Sequence, residues 1–387
     1  MRRASWAFGA LLIVVAVIGV IFFARPRFFL LVFVGIGLSV IALYGVFWFR
    51  GTRWSNLCLT VLVTGLCLSV LDPLVIATMP KPLISDEGSW SRKYHFVGDS
   101  DLGFALPAGV VGEAREVTAG RVIYDVMYTI DSNGHRKTDT SSDPAADNVL
   151  FMGDSFTFGV GLNDNETLPE LFSEDTNRRY NVVNFGVAAY GLHQVVRALE
   201  LGRPDPFLSQ GKRYIVYTAI PDHARRAVSA YTWAVQGPAY QVGADGVAVY
   251  HGNLHSAAAG MVISTLSRSA FLGKYLLPGL LKNPDMDAYS LYASLAKRAR
   301  QVAEEKYHAT FIMLFWDFNV QAEPEVKAAF DAAGVAYIPV SRIIPDLLAK
   351  PETYHIAPPL DFHPTAAANR LIAAYLAKGF LDGTIGR

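Results

Sequence analysis

A serine directly follows a predicted strand, in a turn whose backbone geometry suits a nucleophile. Four apolar residues, Val149–Met152, predict a buried strand, and Gly153, Asp154 and Ser155 follow it directly. The glycine permits a tight exit from the strand, and the turn exposes backbone N–H groups that can meet a developing negative charge. Ser155 is therefore a candidate nucleophile, but a free hydroxyl is weak and needs a base from elsewhere in the chain.

The C-terminal part of the chain offers that base. Asp361 and His363 are separated by one residue and precede a predicted helix that Pro364 opens. In an Asp-x-His arrangement the carboxylate can orient the imidazole, so that the other ring nitrogen faces the serine. Ser155, Asp361 and His363 thus form a candidate triad, and Asp154 is expected to hold the turn. The alternative is that Asp361 caps the helix and His363 is a surface histidine.

Alternating strands and helices must bring these residues together. The predicted strands are Val149–Met152, Tyr180–Asn184, Tyr214–Ala219, Thr310–Phe315 and Ala336–Val340, and the predicted helices lie near 166–176, 191–202, 287–306, 324–333 and 364–378. Such alternation is typical of an α/β fold in which helices cover both faces of a parallel sheet. Ligands bind beyond the carboxyl ends of the strands in such a sheet, which is where Ser155 falls.

The spacing of these elements divides the second part of the chain. Residues 81–147 are expected to form a polar, partly extended lead-in, and residues 148–387 the α/β domain. The gap between the third and fourth strands is much longer than a usual crossover, so residues 223–286 are predicted to be an insertion. Within it, Ala239–Gly252 predicts a hairpin that turns at Asp245-Gly246.

Residues 1–80 differ from the rest because they contain three long apolar runs. These are Trp6–Ala24, Phe28–Phe49 and a run from about Ser55 to Thr78. Each approaches or exceeds the roughly 20 residues that cross a bilayer, so we expect three transmembrane helices. Asp72 is expected near the end of the third, because a charge at the membrane centre costs about 2.5–3.5 kcal/mol.

Arginines indicate how these helices are oriented. With three spans, the N-terminus and the second loop share one side, and arginines are more frequent there than on the other side. The first side carries Arg2, Arg3, Arg50 and Arg53, and the second carries Arg25 and Arg27. The positive-inside rule then places the N-terminus in the cytoplasm of a multi-pass inner-membrane protein, with everything after about residue 80 outside.

Composition argues against several other classes of protein. The 387 residues include 34 Lys and Arg against 34 Asp and Glu, with no basic run, so nucleic acid is not an expected partner. The two cysteines, Cys58 and Cys67, lie in an apolar stretch and indicate neither a disulfide framework nor a metal site. No His/Asp cluster has the spacing of metal ligands.

Three segments resemble sequence blocks of the SGNH (GDSL-type) hydrolases. "GDSFTFGVGLNDNETLPELF" is similar to their Gly-Asp-Ser block, "LDFHPTAAANRLI" to their closing Asp/His block, and "VVNFGVAAYGLHQ" to the second-strand block of the membrane-attached members. The resemblance covers roughly residues 120–220 and 355–380. It implies a flavodoxin-like three-layer α/β/α fold, no metal or organic cofactor, and esterase, lipase, deacetylase or O-acyltransferase chemistry.

The resemblance assigns roles to several residues by position. Ser155 is the nucleophile, His363 the base and Asp361 its orienter, and the Ser155 N–H is the first oxyanion donor. The glycine expected as the second donor is replaced by Ala189, with Gly191 two residues later. An alanine still has an N–H to donate, so the replacement is tolerable if the backbone angle suits it.

The third block departs further from the family pattern. An asparagine is expected after the third strand, and Pro221 stands there, followed by Asp222 and His223. Either His223, Arg225 or Arg226 replaces the missing donor, or the oxyanion hole is incomplete. Asp222, His223 and Arg226 are therefore candidate substrate-facing residues.

The resemblance and the apolar N-terminus together imply a membrane-tethered serine esterase with an extracytoplasmic domain. Its expected substrates are acyl esters, O-acetyl esters foremost, on a cell-envelope glycan or lipid. Two alternatives stay open: an O-acyltransferase that uses the same triad on an envelope polysaccharide, and a catalytically degenerate module that binds glycan or scaffolds an assembly. The oligomeric state is left open.

Overall fold

A computed structural model describes residues 30–78, 85–87, 96–118, 120–229, 231, 237–281, 287–317 and 322–385. The chain divides into two compact units, one made of residues 1–80 and 257–282 and the other of residues 81–256 and 283–387. The first predicted transmembrane helix, Trp6–Ala24, lies outside the described residues. Residues 257–282, expected as part of the α/β insertion, group instead with the N-terminal helices.

The elements are numbered in chain order. The helices are α1 (Leu30–Trp48), α2 (Arg53–Thr78), α3 (Ser155–Phe158), α4 (Leu168–Asp175), α5 (Leu192–Leu201), α6 (His223–Ala227), α7 (Ala257–Leu266), α8 (Leu277–Leu281), α9 (Ala288–Tyr307), α10 (Glu323–Ala333), α11 (Val340–Ile343), α12 (Pro351–Tyr354) and α13 (Ala366–Leu381). The strands are β1 (Ser85–Glu87), β2 (Val97–Asp99), β3 (Gly103–Ala105), β4 (Val111–Thr118), β5 (Arg121–Thr129), β6 (Asn148–Gly153), β7 (Asn181–Gly186), β8 (Arg213–Ala219), β9 (Pro238–Val242), β10 (Ala248–Asn253), β11 (Ala309–Phe315), β12 (Ile338–Pro339), β13 (His355–Ala357) and β14 (Asp361–Pro364).

Helices α1 and α2 make up most of the described residues of the first unit. Both are long and apolar enough to cross a membrane, by length and composition, and they fall in the second and third predicted spans. The two helices approach closely at glycines, because a Cβ on Gly35 would lie 2.4 Å from the carbonyl oxygen of Gly65. The Ser39 hydroxyl is also buried beside this contact and donates to the Gly35 carbonyl at 2.8 Å. Small residues at a helix contact are typical of packing within a membrane.

The second unit is built on a five-stranded parallel sheet. Its strands lie in the order β12-β11-β8-β6-β7, and all neighbouring pairs are parallel. When the five strands are ranked by their position in the chain and read from the β7 edge, their order is 2-1-3-4-5, which is a doubly wound order. The five predicted strands are present, with ends shifted by one or two residues.

Helices cover both faces of this sheet. Side chains alternate along β6, so Leu150 and Met152 pack with α5 and α9, whereas Val149 and Phe151 pack with α4 and α13. A strand that is buried on both faces must be apolar throughout, which explains the uninterrupted run in the sequence. This α/β architecture was predicted from the alternation of strands and helices.

The lead-in and the insertion also form strands within the second unit. β4 and β5 pair antiparallel, and Arg136, which follows them, is buried with its Nε 2.7 Å from Asp164 Oδ1. β9 and β10 form the predicted hairpin, with Gly246 in the left-handed region at φ +74°. The lead-in is therefore part of the compact α/β unit rather than a separate segment.

Candidate active site

The nucleophile candidate lies at the carboxyl end of the second strand from the edge, β6. Gly153 ends this strand at φ +153°, and a Cβ there would lie 2.4 Å from Thr157 Oγ1, so the exit turn requires glycine. Asp154 then caps α3 by accepting a hydrogen bond from the Phe156 N–H at 2.9 Å. This cap makes Ser155 the first residue of α3, where its own N–H has no acceptor within the helix.

The candidate base and its orienter come from β14, which pairs with β13 just before α13. His363 Nε2 lies 2.8 Å from Ser155 Oγ, and His363 Nδ1 lies 2.8 Å from Asp361 Oδ1. The backbone N–H of His363 donates to the same Oδ1 at 2.7 Å. The three predicted residues are thus brought into one hydrogen-bonded line.

The interaction between Asp361 and His363 favours one tautomer of the His363 ring. Burial opposes ionisation of Asp361, but the His363 ring and backbone N–H hold the pKa of that carboxyl below its usual range. Asp361 is therefore an anion at neutral pH, and it accepts a hydrogen bond from the protonated Nδ1 of His363. With Nδ1 protonated, Nε2 is left as the acceptor for the Ser155 hydroxyl, which is the arrangement that a general base needs.

A cavity of about 320 Å³ opens beside the Ser155 hydroxyl. It is lined by Glu116, Thr118, Ile123, Tyr124, Ser155, Val160, Ala188, Ala189, Arg226, Leu360, Asp361 and His363. Ser155 itself is 7% exposed, so the reacting atom would lie at a mostly enclosed position. The β4–β5 hairpin supplies one wall, and no motif in the sequence pointed to those residues.

Ala189 has the backbone geometry of a glycine. Its φ is +73°, in the left-handed region, and it lines the cavity together with Ser155. Its N–H has no hydrogen-bond acceptor among the residues that the structure describes. The Ser155 and Ala189 N–H groups are thus both candidates to meet a negative charge in the cavity.

Gly191 does not share this position. It precedes α5 as the N-cap, and its N–H donates to Gln194 Oε1 at 2.9 Å. It is not among the residues that line the cavity. The expectation that Gly191 contributes an oxyanion donor is therefore not met, because its N–H is already bonded.

His223 and Asp222 are not among the residues that line the cavity, contrary to the sequence-based expectation. His223 is fully buried, with Nε2 3.1 Å from Asp154 Oδ2 and Nδ1 in contact with the Tyr217 hydroxyl. Asp222 accepts from Arg226 Nε at 3.0 Å and from the Tyr231 hydroxyl. His223 faces the interior of the unit and contacts Asp154 there, whereas Asp222 precedes α6 as its N-cap, is half-buried and binds Arg226.

Arg226 is the one of the three alternative donors that reaches the cavity. It lines the cavity, while Nη1 donates to Asp154 Oδ2 at 2.9 Å and to the Tyr190 carbonyl at 2.7 Å. Arg225, in contrast, is exposed and lies over the Tyr231 ring at 4.9 Å. A buried cation therefore lines the cavity beside Ser155.

Asp154 is the anion that compensates this cation. Burial alone would raise the pKa of Asp154, but His223 and Arg226 together hold it below its usual range. Burial also lowers the pKa of His223, so this ring is neutral at neutral pH and contributes an N–H rather than a charge. Asp154 and Arg226 thus form a buried ion pair next to Ser155, whose Oγ lies 3.5 Å from Asp154 Oδ2.

No protein-family model matches the sequence, and a search of the curated proteins finds no match either. Within the part of the chain that the structure describes, no group of three or more His, Cys, Asp or Glu side chains is arranged to hold a metal ion. The function must therefore be inferred from the geometry of the site.

Proposed function

We propose that the chain is a membrane-tethered serine esterase of the SGNH (GDSL) type, which hydrolyses acyl esters on a cell-envelope glycan or lipid. The observation that carries the proposal is the 2.8 Å contact between Ser155 Oγ and His363 Nε2, which joins residues 208 positions apart. The contact continues to Asp361 at 2.8 Å and opens on a cavity. A mainly structural role would not require a serine, an imidazole and a carboxylate aligned in this order beside open space.

The proposed reaction has two halves. Ser155 Oγ attacks the ester carbonyl while His363 Nε2 takes the hydroxyl proton, and a tetrahedral intermediate forms. His363 then gives this proton to the departing alcohol, and the acyl group stays on Ser155. In the second half His363 removes a proton from water, the hydroxide attacks the acyl carbonyl, and the acid is released as the proton returns to Ser155.

Three donors are proposed for the oxyanion. The backbone N–H groups of Ser155 and Ala189 line the cavity, and the Arg226 guanidinium takes the place of the expected asparagine. Losing one such donor typically costs about 2.7–4 kcal/mol of transition-state stabilisation. Asp154 and Asp222 both pair with Arg226, so their attraction repays part of the desolvation penalty of this buried cation.

The fold and the N-terminal helices support the rest of the proposal. The strand order 2-1-3-4-5 is the order of flavodoxin-like folds, and Ser155 follows the first strand, at the point where the order reverses. Helices α1 and α2 are the proposed membrane anchor. We propose from the arginine distribution that the α/β unit lies outside the inner membrane, where O-acetyl esters of envelope glycans or lipids are accessible.

The test is reaction of the full-length protein with a fluorophosphonate probe, together with hydrolysis of p-nitrophenyl acetate. We expect one probe adduct at Ser155, with no adduct in Ser155→Ala and strongly slowed labelling in His363→Ala. The matched control is His251→Ala, which removes an exposed imidazole on β10 and is expected to label at the wild-type rate. An unlabelled wild type, or labelling that does not depend on His363, would refute the esterase and favour a binding module.

A further inference from the structure

A segment from the second half of the chain belongs to the apolar unit. Residues 257–281 interrupt the α/β sequence, yet they group with α1 and α2. They form α7 and α8, joined by a π-helical turn at Leu272–Leu276. The polypeptide therefore passes between the two units three times, near residues 80, 256 and 282.

Asp72 on α2 holds this segment. Its side chain is fully buried, and Oδ1 accepts hydrogen bonds from the Ser269 hydroxyl at 2.6 Å and from the Phe271 N–H at 3.1 Å. The other oxygen, Oδ2, accepts from the Leu31 N–H at 2.8 Å. A buried carboxylate is costly unless its oxygens are satisfied, so these three bonds fix the segment to both helices at once.

The position of Asp72 defines where along the helices the segment lies. Asp72 is in the last two turns of α2, and Leu31 is at the start of α1. The segment therefore packs at the end of the helical pair where α1 begins and α2 ends. If α1 and α2 cross a bilayer, this end lies near one membrane surface.

The outer side of the segment is apolar. Met261 and Leu280 are each 69% exposed, and Val262, Tyr275 and Leu276 are also exposed. The segment contains no acidic residue, and its two cations, Arg268 and Lys274, are of the kind that reach the headgroup region with their charged ends. In water such a cluster would be unfavourable, whereas lipid acyl chains would cover it without a further protein partner.

We infer that residues 257–281 are a membrane-seated insertion, whose exposed apolar side chains contact lipid acyl chains near one bilayer surface. The inference rests on the proposed membrane location of α1 and α2. Lipid is the favoured occupant because the apolar surface of the segment belongs to the same compact unit as the exposed apolar residues of α1 and α2, such as Leu43 and Val70. The α/β unit thereby gains an attachment to the bilayer beyond the α2 connection.

The experiment uses the full-length protein in phosphatidylcholine vesicles that contain a small fraction of phosphatidylcholine with a diazirine in its acyl chain. After photolysis, peptide mapping locates the adducts. We expect adducts on Met261, Val262 and Leu280 at yields comparable to those on α1 and α2. Val111 and Val249 are the internal controls, because they are exposed to a similar degree in the α/β unit and are expected to carry none.

Three results would overturn the inference. Adducts on α1 and α2 with none on residues 257–281 would exclude lipid contact of the insertion while leaving the anchor intact. Adducts at Val249 as strong as those at Met261 would mean that labelling does not report on the bilayer. If α1 and α2 also carry no adducts, the proposal that they anchor the protein in the membrane is refuted, and so is the inference about residues 257–281.

Discussion

Replacement of Asp361 by asparagine tests how the carboxylate holds the His363 imidazole, the proposed general base. A single oxygen, Oδ1, accepts from both the His363 backbone N–H at 2.7 Å and the ring Nδ1 at 2.8 Å. An asparagine must keep its own oxygen at this position, because an NH₂ group cannot accept the backbone N–H. We therefore expect the ring of Asp361→Asn to keep Nδ1 protonated and Nε2 free to accept from Ser155.

The size of the effect follows from what the substitution removes. A hydrogen bond to a charged group contributes about 1.5–3 kcal/mol and a neutral one about 0.5–1.5 kcal/mol, so the loss of charge costs about 1–1.5 kcal/mol. At about 1.36 kcal/mol per decade, this slows the reaction about tenfold. A change of tautomer would instead cost about 10⁴-fold. Asp361→Ala, which removes the acceptor altogether, is expected to lose about 10⁴-fold.

The assay is the second-order rate of fluorophosphonate labelling at Ser155, with kcat/KM for p-nitrophenyl acetate as a second measurement. Asp125→Asn serves as the matched control, since it changes an exposed carboxylate and should leave both rates unchanged. If Asp361→Asn is as slow as Asp361→Ala, the amide has turned its nitrogen to the ring, and the expectation that its oxygen keeps both hydrogen bonds is wrong. If it is as fast as the wild type, the charge of Asp361 has no role.

Three further predictions concern the ion pair behind the site and the packing of the apolar helices. Arg226→Gln should lower kcat for p-nitrophenyl acetate by about 10²–10³-fold with little change in KM, and Arg225→Gln should change neither constant; equal losses would contradict the oxyanion role. Because the pKa of Asp154 is below its usual range, its stabilising contribution is present above about pH 4 and is lost as the pH falls through the folded pKa. Asp154→Asn should therefore lower Tm at neutral pH, as measured by circular dichroism. Below about pH 4 the Tm of the variant should fall less steeply with pH than that of the wild type. Parallel plots of Tm against pH for the two proteins would refute this. Gly35→Leu should lower Tm because its side chain meets α2, whereas Gly37→Leu, whose Cβ meets open space, should not; equal effects would argue against the close helix contact.

The centre of the α/β sheet could be predicted because β6, β8 and β11 are largely buried on both faces. Such strands are apolar at nearly every position, so Val149–Met152 and Thr310–Phe315 stand out as runs without further information. The last strand is shorter than predicted, since a helix begins at Val340 directly after Ile338–Pro339. A short edge strand carries few apolar residues, and its boundaries are therefore weakly marked in the sequence.

The composition of the cavity could be predicted only in part. Ser155, Asp361 and His363 are marked by spacing, but the choice between His223 and Arg226 depends on which side of the short helix α6 lines the cavity. That orientation is decided by tertiary contacts with Asp154 and Tyr217, which have no signature in the local sequence.

The placement of residues 257–281 was also beyond the sequence. The segment is apolar but interrupted by Gly273, Pro278 and Gly279, so it shows neither a long span nor a regular helical period. Its hydrogen-bond partner, Asp72, is 197 positions away from Ser269. Neither residue alone indicates the other.

The two hydrogen bonds of the proposed triad differ in how much of the chain they enclose. Asp361 and His363 are two positions apart on one strand, whereas His363 and Ser155 are 208 positions apart. Closing a long loop costs more conformational entropy than closing a short one, so a partly loosened polypeptide retains the first pairing after it has lost the second. The reactivity of Ser155 thus reports whether the C-terminal segment that carries His363 is packed against the central sheet, and not merely whether local secondary structure is present.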